Sequence, residues 1–540
     1  MNYGFIIDNR KCIGCHACTV ACKSEHDVAI GVNRTWVKYV EKGEYPNTRR
    51  LFSVMRCNHC EDAPCVEICP VEALHIRDDG IVDFDNRRCI GCKSCMQACP
   101  YNALYIDPVT HTAAKCNYCA HRIDIGLEPA CVNVCPEHAI ISGDMDNPAT
   151  EIAQLLSREA VKVRKPEKGT RPKLFYIDAD EASLTPSETE TSDSYMWSSQ
   201  SSGVGHYAKY AEGLIAKNSP VDMYKELARL KEMPEKVIIG GDNTIQKPDG
   251  ILKRTIRRAY DAPSKGVLWG WEVSAYVMTK AIAAGAVLLP FLALLFGIPV
   301  GDTLLYGSLI SGLIFLGLTG ALLVKDLDKP TRFAYVILRP QWNSWLVRGG
   351  YAITVFGGLV TLWLAARFLG LSALEPVAMW GSGLFALVVA VYTAFLFAQA
   401  KGRDFWQSPA LILHMLAHPF VGGGALFALA APFTASAGDW NGFIHTVLIG
   451  ALAVNLLILF AELTITHPTV DAKKAAHMIT AGSYAPLFWL GSIILGNILP
   501  LLILLWSPAW MVSVAAVLIL AGLYITEHLW VRVPQLINLS

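Results

Sequence analysis

Sixteen cysteines carry the chemistry this sequence can do, and all of them lie between Cys12 and Cys135. They fall into four groups of four. The first is Cys12-x2-Cys15-x2-Cys18-x3-Cys22, and the second is Cys57-x2-Cys60-x4-Cys65-x3-Cys69-Pro70. The third is Cys89-x2-Cys92-x2-Cys95-x3-Cys99-Pro100, and the fourth is Cys116-x2-Cys119-x11-Cys131-x3-Cys135-Pro136. Three thiolates spaced two apart on one tight loop can cap three irons of a cubane. A fourth, three residues on and entering a helix, points away toward a neighbouring cluster. The third group spells the bacterial ferredoxin run, and the first departs from it only in having Lys23 where Pro is usual. Structural zinc would need two cysteine pairs per ion and has no use for three cysteines within seven residues, so the spacing points to iron–sulfur. His16, His59 and His121 sit among the cysteines. Sixteen thiolates already complete four sites, so these histidines read as supporting or surface groups.

The elements that must position these thiolates repeat. Cys12-Ile13-Gly14-Cys15 returns as Cys89-Ile90-Gly91-Cys92, and Cys57-Asn58-His59-Cys60 as Cys116-Asn117-Tyr118-Cys119. After the Cys-Pro pairs come Ala73-Leu74-His75-Ile76, Ala103-Leu104-Tyr105-Ile106 and Ala139-Ile140-Ile141, which read as short helices running into strands. The expected fold is therefore an α+β, ferredoxin-like domain over 1–147, held together mainly by metal–thiolate bonds.

The rest of the chain has a different character. The 540 residues include 46 basic and 46 acidic side chains, and this neutral balance gives no reason to expect nucleic acid as a partner. Beyond residue 265 there are only 12 Lys/Arg and 10 Asp/Glu. Eight apolar stretches of spanning length follow, near 271–298, 303–324, 349–369, 377–398, 409–431, 443–465, 486–506 and 509–529. Residues 266–540 are thus expected to form an all-α polytopic domain of eight transmembrane helices in the lipid bilayer. An even number returns the chain to the side of the cysteine domain. Loops and tail on that side hold Lys325, Lys329, Arg332, Arg339, Arg348, Lys401, Arg403, Lys473, Lys474 and Arg532, against Arg367 alone on the other. This asymmetry predicts a cytoplasmic-membrane protein with its cysteine domain in the cytoplasm. Met1 to Cys12 shows neither an apolar run nor a twin-arginine pair, which agrees with that expectation.

Between the two lies a stretch, 148–265, that reads as connector and packing strap. A short helix is expected from Glu151 to Val161 and a Ser/Thr-rich acidic strap from Ser183 to Ser202. A helix starting at Asn218-Ser219-Pro220 and stopped by Pro234 follows, then a Gly240-Gly241 turn and a basic approach of Lys253, Arg254, Arg257, Arg258 and Lys265.

Ionisable groups in spans are functional candidates, because charge in hydrocarbon is costly. Glu272 and Lys280 share the first span eight residues apart, with Tyr276 between them. His414 and His418 share a face of the fifth, Glu462 lies toward the end of the sixth, and His467 is just beyond it. His414 or His418 paired with His467 would be the place for haem b, an alternative to the reading that follows.

The cysteine run from Met1 to Asn147 resembles the four-cluster electron-transfer subunit of the complex iron–sulfur molybdoenzymes, the group of the dimethyl sulfoxide, polysulfide and tetrathionate reductases. The resemblance implies four [4Fe–4S] clusters. Their ligand sets would be Cys12, Cys15, Cys18 and Cys135; Cys22, Cys116, Cys119 and Cys131; Cys57, Cys60, Cys65 and Cys99; and Cys69, Cys89, Cys92 and Cys95. The loop Lys325-Asp326-Leu327-Asp328-Lys329-Pro330-Thr331-Arg332-Phe333, with Leu338-Arg339-Pro340 and Ser344-Trp345-Leu346-x-Arg348-Gly349, resembles the NrfD/polysulfide-reductase type of membrane anchor. Such anchors are haem-free and bind menaquinone or ubiquinone. By position, Tyr276, Lys280, Asp328, Arg332 and Arg348 are the candidates for that site, with Glu272 and Glu462 as candidates for proton transfer. The chain is expected to be a natural fusion of cluster subunit and anchor, one subunit of an oxidoreductase. Nothing in it reads as a substrate or molybdopterin site, so a molybdopterin-type catalytic subunit is the expected partner alongside the quinone pool. A third possibility is an ion-translocating or scaffolding membrane module without a quinone site.

Overall fold

Two ways of burying apolar surface divide the chain. The computed structural model describes residues 1–44, 46–189, 256–262, 265–433, 438–506 and 511–540. The strap beyond residue 189, the helix expected from Asn218 to Pro234, the Gly240-Gly241 turn and the pair Lys253-Arg254 lie outside the described residues.

In the cysteine domain the central strand is Tyr3–Asp8, with Phe5, Ile6 and Ile7 all buried. Burial on both faces is what a continuous apolar run demands of a strand. It pairs antiparallel with Ile140–Asp144 and parallel with Leu174–Ile177, and Val161–Lys162 closes the far edge of this four-stranded sheet. A second sheet is the hairpin Thr35–Glu44 with Asn47–Arg56, joined along the first of these strands by Ile256–Tyr260. Short helices Pro64–Glu67, Ser94–Ala98 and Ala130–Asn133 lead into strands Leu74–Ile76, Tyr105–Ile106 and Ile140–Asp144, the alternation expected from the repeats. The helix expected after Asp146 runs Glu151–Arg158, with the Thr150 hydroxyl accepting from the Ala153 amide as its cap. The stretch read as connector supplies strands to both sheets, because Val161–Lys162, Leu174–Ile177 and Ile256–Tyr260 all come from it.

Among the described residues, the membrane half has eight helices long and apolar enough to span: Trp271–Leu295, Asp302–Lys325, Trp345–Phe368, Glu375–Gln399, Ala410–Ala430, Asp439–Thr464, Leu487–Trp506 and Val512–Leu536. Small residues let the first and fifth approach. A Cβ on Gly285 would lie 2.0 Å from the Pro419 carbonyl oxygen and 2.8 Å from the Gly423 Cα. The seventh begins as a π-helix, Leu487–Ile498, and touches the eighth where Gly496 meets Gly522. Asn497 donates back to the Ser492 carbonyl at 2.8 Å and accepts from Asn455 at 2.9 Å, so polar groups of this wider turn find partners inside the bundle.

The cysteine domain rests on the loops that join helix pairs at one end of the bundle, and on the C-terminal tail. Arg332 donates to the Asn86 and Cys89 carbonyls at 2.7 and 2.9 Å. Arg403 donates to Gln97 at 2.8 Å, and Gln97 to Gln535 at 2.6 Å. Lys168 pairs with Asp404, and Lys165 lies 3.6 Å from Asp471. Apart from Lys280, ten of the eleven Lys/Arg beyond residue 265 lie in these loops, in the tail or at the helix ends beside them. One end of the bundle is therefore both the basic end and the seat of the cysteine domain.

Candidate functional site: cysteine tetrads above a buried polar line

Repeated sequence produces repeated backbone. Gly14 and Gly91 hold φ of 70° and 71°, and the residues after the second cysteine, His16 and Lys93, hold 61° and 60°. Two left-handed residues so close together coil each loop around a point and turn its amides inward. The Gly91 amide donates to Cys89 Sγ at 3.4 Å and the His59 amide to Cys57 Sγ at 3.5 Å. Downstream, the Ala73 amide reaches Cys69 Sγ at 3.3 Å and the Ala139 amide Cys135 Sγ at 3.2 Å. Amide donors aimed at sulfur favour the thiolate.

All sixteen cysteines are free thiols. One cavity is lined by Cys69, Cys89, Cys92 and Cys95 with apolar neighbours such as Ile90 and Leu74. A second is lined by Cys12, Cys15, Cys18 and Cys135. Cys22 lies in the field of Cys116, Cys131 and Cys119, and Cys65 in that of Cys99, Cys57 and Cys60. The fold thus brings cysteines from different motifs together in four groupings. Burial pushes the Cys18 thiol up to about 12, and the neighbouring Cys131 and Cys12 add to the shift while Arg56 opposes it. Four crowded, buried sulfurs become thiolates together only when a cation neutralises them. An all-sulfur donor set in an apolar wall suits an iron–sulfur cubane.

The groupings form a line. Cys18 feels Cys131, Cys116 feels Cys57, and Cys95 feels Cys65, so each set neighbours the next. The set of Cys69, Cys89, Cys92 and Cys95 is the one seated on the bundle. The Trp269 indole donates to the Cys92 carbonyl at 3.1 Å, and Asp328 lies 3.3 Å from Lys93.

The supporting groups are partly those expected. His59 is buried and accepts from the Val82 amide through Nδ1 at 3.2 Å, while His121 pairs with Glu25 at 2.8 Å on the surface. His16 packs against Tyr39 and Tyr260. Sequence reasoning missed His26, whose Nε2 lies 3.1 Å from Cys119 Sγ, and Arg56, whose Nη1 donates to Cys131 Sγ at 3.1 Å. Neither sits in a cysteine motif, so no spacing marks them.

The structure divides the five quinone-site candidates into three locations. Tyr276 and Lys280 lie together inside the bundle, both buried. Asp328 and Arg332 are committed to the Cys89–Lys93 loop by the contacts above. Arg348 is exposed, donates to the Trp342 carbonyl at 2.6 Å and stacks over Trp345. Glu272 lies 3.6 Å from Lys325 at the rim of the bundle.

Below the loop runs a line of buried polar side chains from five helices. Lys280 Nζ donates to Thr393 Oγ1 at 2.6 Å and to the Ala390 carbonyl at 3.0 Å, and lies over the Tyr392 ring. Glu527 on the eighth helix lies in the field of Lys280 and accepts from His418 Nδ1 at 2.5 Å. The His418 ring is 4.3 Å from that of His414, which donates to Glu462 at 3.3 Å through Nδ1. All five of these ionisable residues are buried. Among the described residues, His414 Nε2, His418 Nε2, Glu462 Oε1 and Glu527 Oε2 have no hydrogen-bond partner. Each imidazole is oriented by a carboxylate and keeps one nitrogen for a further proton or ligand. Sequence reasoning missed Glu527, which lies two residues from the end of the span expected over 509–529. The helix instead runs to Arg532 and continues through Val533–Leu536.

Tetrads of cysteine on a ferredoxin-like body, seated on eight spanning helices, define a membrane-bound iron–sulfur electron-transfer protein. The comparisons specify it further. The family described as polysulphide reductase, NrfD, matches residues 261–534, a 4Fe-4S dicluster domain matches 48–145 and a 4Fe-4S binding domain matches 10–29. A subunit of the tetrathionate reductase of Salmonella typhimurium is 47% identical over 189 residues, 34% of this chain and 75% of that protein. A polypeptide of the polysulfide reductase of Wolinella succinogenes is 43% identical over 180 residues, 32% of this chain and 93% of that protein. The arsenate respiratory reductase iron–sulfur subunit of Shewanella sp. is 33% identical over 225 residues, 33% of this chain and 96% of that protein. This protein belongs to the NrfD polysulphide reductase family through its membrane half, fused to a cluster-bearing half of the reductase iron–sulfur-subunit type.

Proposed function

We propose that this chain carries electrons between the membrane quinone pool, menaquinone or ubiquinone, and a separate molybdopterin-type catalytic subunit. The single observation that carries this reading is one packed core holding Cys89, Cys95, Trp269, Tyr276 and Met415, which joins the set on the bundle to the helices that bear Lys280, His414 and His418 and the polar line they begin. Four [4Fe–4S] clusters, one per tetrad, supply one-electron steps when bound. The names of the relatives support a reductase partner at the far end of the line, by the tetrad of Cys12, Cys15, Cys18 and Cys135.

Quinol oxidation releases two protons with two electrons, so a quinol site must hold protons where the electrons depart. In this reading Tyr276 and Thr393 orient a headgroup oxygen, with the Lys280 ammonium beside them. His418 and His414 each present an unpartnered Nε2 to take a proton, while Glu527 and Glu462 stabilise the imidazolium that forms. The site so read keeps Tyr276, Lys280 and Glu462 from the sequence candidates, adds Glu527 and the two histidines, and gives Asp328 and Arg332 the work of fastening the cluster loop. The ten-to-one distribution of basic residues supports a cytoplasmic position for the cluster domain.

Quinol should reduce the clusters of the purified protein, and Lys280→Met should slow this at least tenfold while dithionite still reduces them. Unchanged quinol kinetics would sink the reading. The buried histidine–glutamate pairs also support an ion-translocating role, for which quinol analogues would leave the cluster EPR signals unaltered. A haem b anchor would show haem bands in a reduced-minus-oxidised spectrum.

A further inference from the structure

A cation stands wherever two successive cysteine tetrads meet, fully buried at two of the junctions and half-buried at the third. Arg56 is 0% exposed and stacks on Phe5, and its Nη1 donates to Cys131 Sγ at 3.1 Å. Its charge acts on Cys131 and Cys116 of one tetrad and on Cys18 of the next. Its Nε and Nη2 are buried and have no hydrogen-bond partner among the described residues. Lys115 is also 0% exposed, donating to the Val82 carbonyl and, at 2.9 Å, to the Cys116 carbonyl. Its charge acts on Cys116 on one side and on Cys57 and Cys65 on the other. Lys265 donates to the Asn102 carbonyl at 2.5 Å and to that of Leu104, just past the Cys99-Pro100 corner. It lies in the field of Cys99 of the third tetrad and Cys95 of the set seated on the membrane.

The three come from unrelated places: the end of a hairpin strand, the residue before a cysteine motif, and the segment leading into the first membrane helix. Their shared feature is position. A cubane held by four thiolates is an anion and gains another negative charge on reduction. Neighbouring buried anions repel, and the repulsion is greatest when both are reduced. A cation between two of them favours the reduced state of both, and in this low-dielectric interior the effect is strong.

We propose that Arg56, Lys115 and Lys265 are fixed counter-charges that neutralise the clusters in overlapping pairs and so keep neighbouring potentials close enough for electrons to pass along the line. The proposal rests on the four-cluster reading above. These are positioning residues: electrons pass between clusters, and the cations set the energy at each stop.

The test is a potentiometric EPR titration of the full-length protein in detergent, with iron counted per molecule. The native protein should hold about sixteen irons. Fewer would overturn the four-cluster reading and the proposal with it. The neutral variants Arg56→Gln, Lys115→Gln and Lys265→Gln keep an amide donor but lose the charge. Each should lower the reduction constant of its own two clusters about tenfold, ~59 mV for a one-electron couple, and leave the other two unmoved. Arg56→Lys, Lys115→Arg and Lys265→Arg should hold native potentials. Loss of iron in a neutral variant but not in its charged counterpart would also support the proposal, since both keep a hydrogen-bond donor and only the second keeps the charge. Full iron with unmoved midpoints, an equal shift of all four clusters, or the same change in charged and neutral variants would overturn it.

Discussion

The Trp269 indole N–H donates to the carbonyl of Cys92 at 3.1 Å, tying the lead-in to the first membrane helix to a cysteine of the membrane-seated tetrad. The ring is 4% exposed and stacks on Trp406 at 5.5 Å, with Phe397 alongside. This contact gives the soluble and membrane halves a common core. Trp269→Phe removes the hydrogen bond and should cost about 1 kcal/mol. Trp269→Ala also removes the stack and should cost ~3–5 kcal/mol. Thermal unfolding in detergent checks both, and hydrogen exchange should quicken first in the Cys89–Lys93 loop.

Asp326 makes that junction pH-sensitive. Burial pushes its carboxyl up to about 7, with Glu272 and Asp328 adding to the shift and Lys93 opposing it. Its folded-state value lies above its unfolded value, so the folded state binds the proton more tightly. The stabilisation is complete below about pH 4 and is lost as pH rises through about 7. Protection of the 325–334 loop should therefore increase as pH falls from about 8 to 5, and Asp326→Asn should flatten that dependence. An unchanged slope in the variant would assign the effect to another group.

His418 and Glu527 are both buried, and removing either partner strands the other. Glu527→Ala should destabilise the bundle by ~3–5 kcal/mol, whereas replacing His418 and Glu527 together by apolar residues should cost less than the two single changes combined. A double-mutant cycle read by unfolding in detergent measures the coupling.

Gly285 is a packing requirement. A methyl group there would meet the Pro419 carbonyl oxygen at 2.0 Å, so Gly285→Ala must push the first and fifth helices apart. The cost should be ~1–3 kcal/mol. Quinol-dependent cluster reduction should fall with it, because Lys280 and His418 lie on those two helices. At Gly301 the added atom meets nothing within 4 Å among the described residues, and Gly301→Ala should leave unfolding unchanged.

Iron removal should unfold the domain locally. Burial drives the Cys18, Cys92 and Cys119 thiols up to about 12, so without metal these three stay protonated at pH 7, and the loops lose the bonds that tie them together. Chelation under reducing conditions should expose residues 10–22 and 86–99 to protease while the membrane helices stay intact.

What the sequence by itself determined was whatever depends on neighbours along the chain. Cysteine spacing is local, so four groups of four cysteines and their repeat could be read from it, and the repeated motifs take matching φ angles at Gly14 and Gly91; which groups share a site came only with the resemblance. Hydropathy is local too, and the eight helices lie within a few residues of the stretches expected, apart from the longer eighth. The tertiary structure decided which distant groups meet. Arg56 and Cys131 are 75 positions apart, His418 and Glu527 109, and Arg332 and Cys89 243. Nothing in the spacing of such residues encodes their meeting. Packing of the hairpin against the Cys131 helix brings Arg56 to its sulfur, a glycine-lined helix crossing helps gather the buried histidines and glutamates, and docking of the membrane loop turns Arg332 toward the cluster domain. Packing also separated residues that sequence position had grouped: Lys280 went into the bundle, Arg332 to the seam and Arg348 to the surface, because each side chain follows the burial of its own helix or loop.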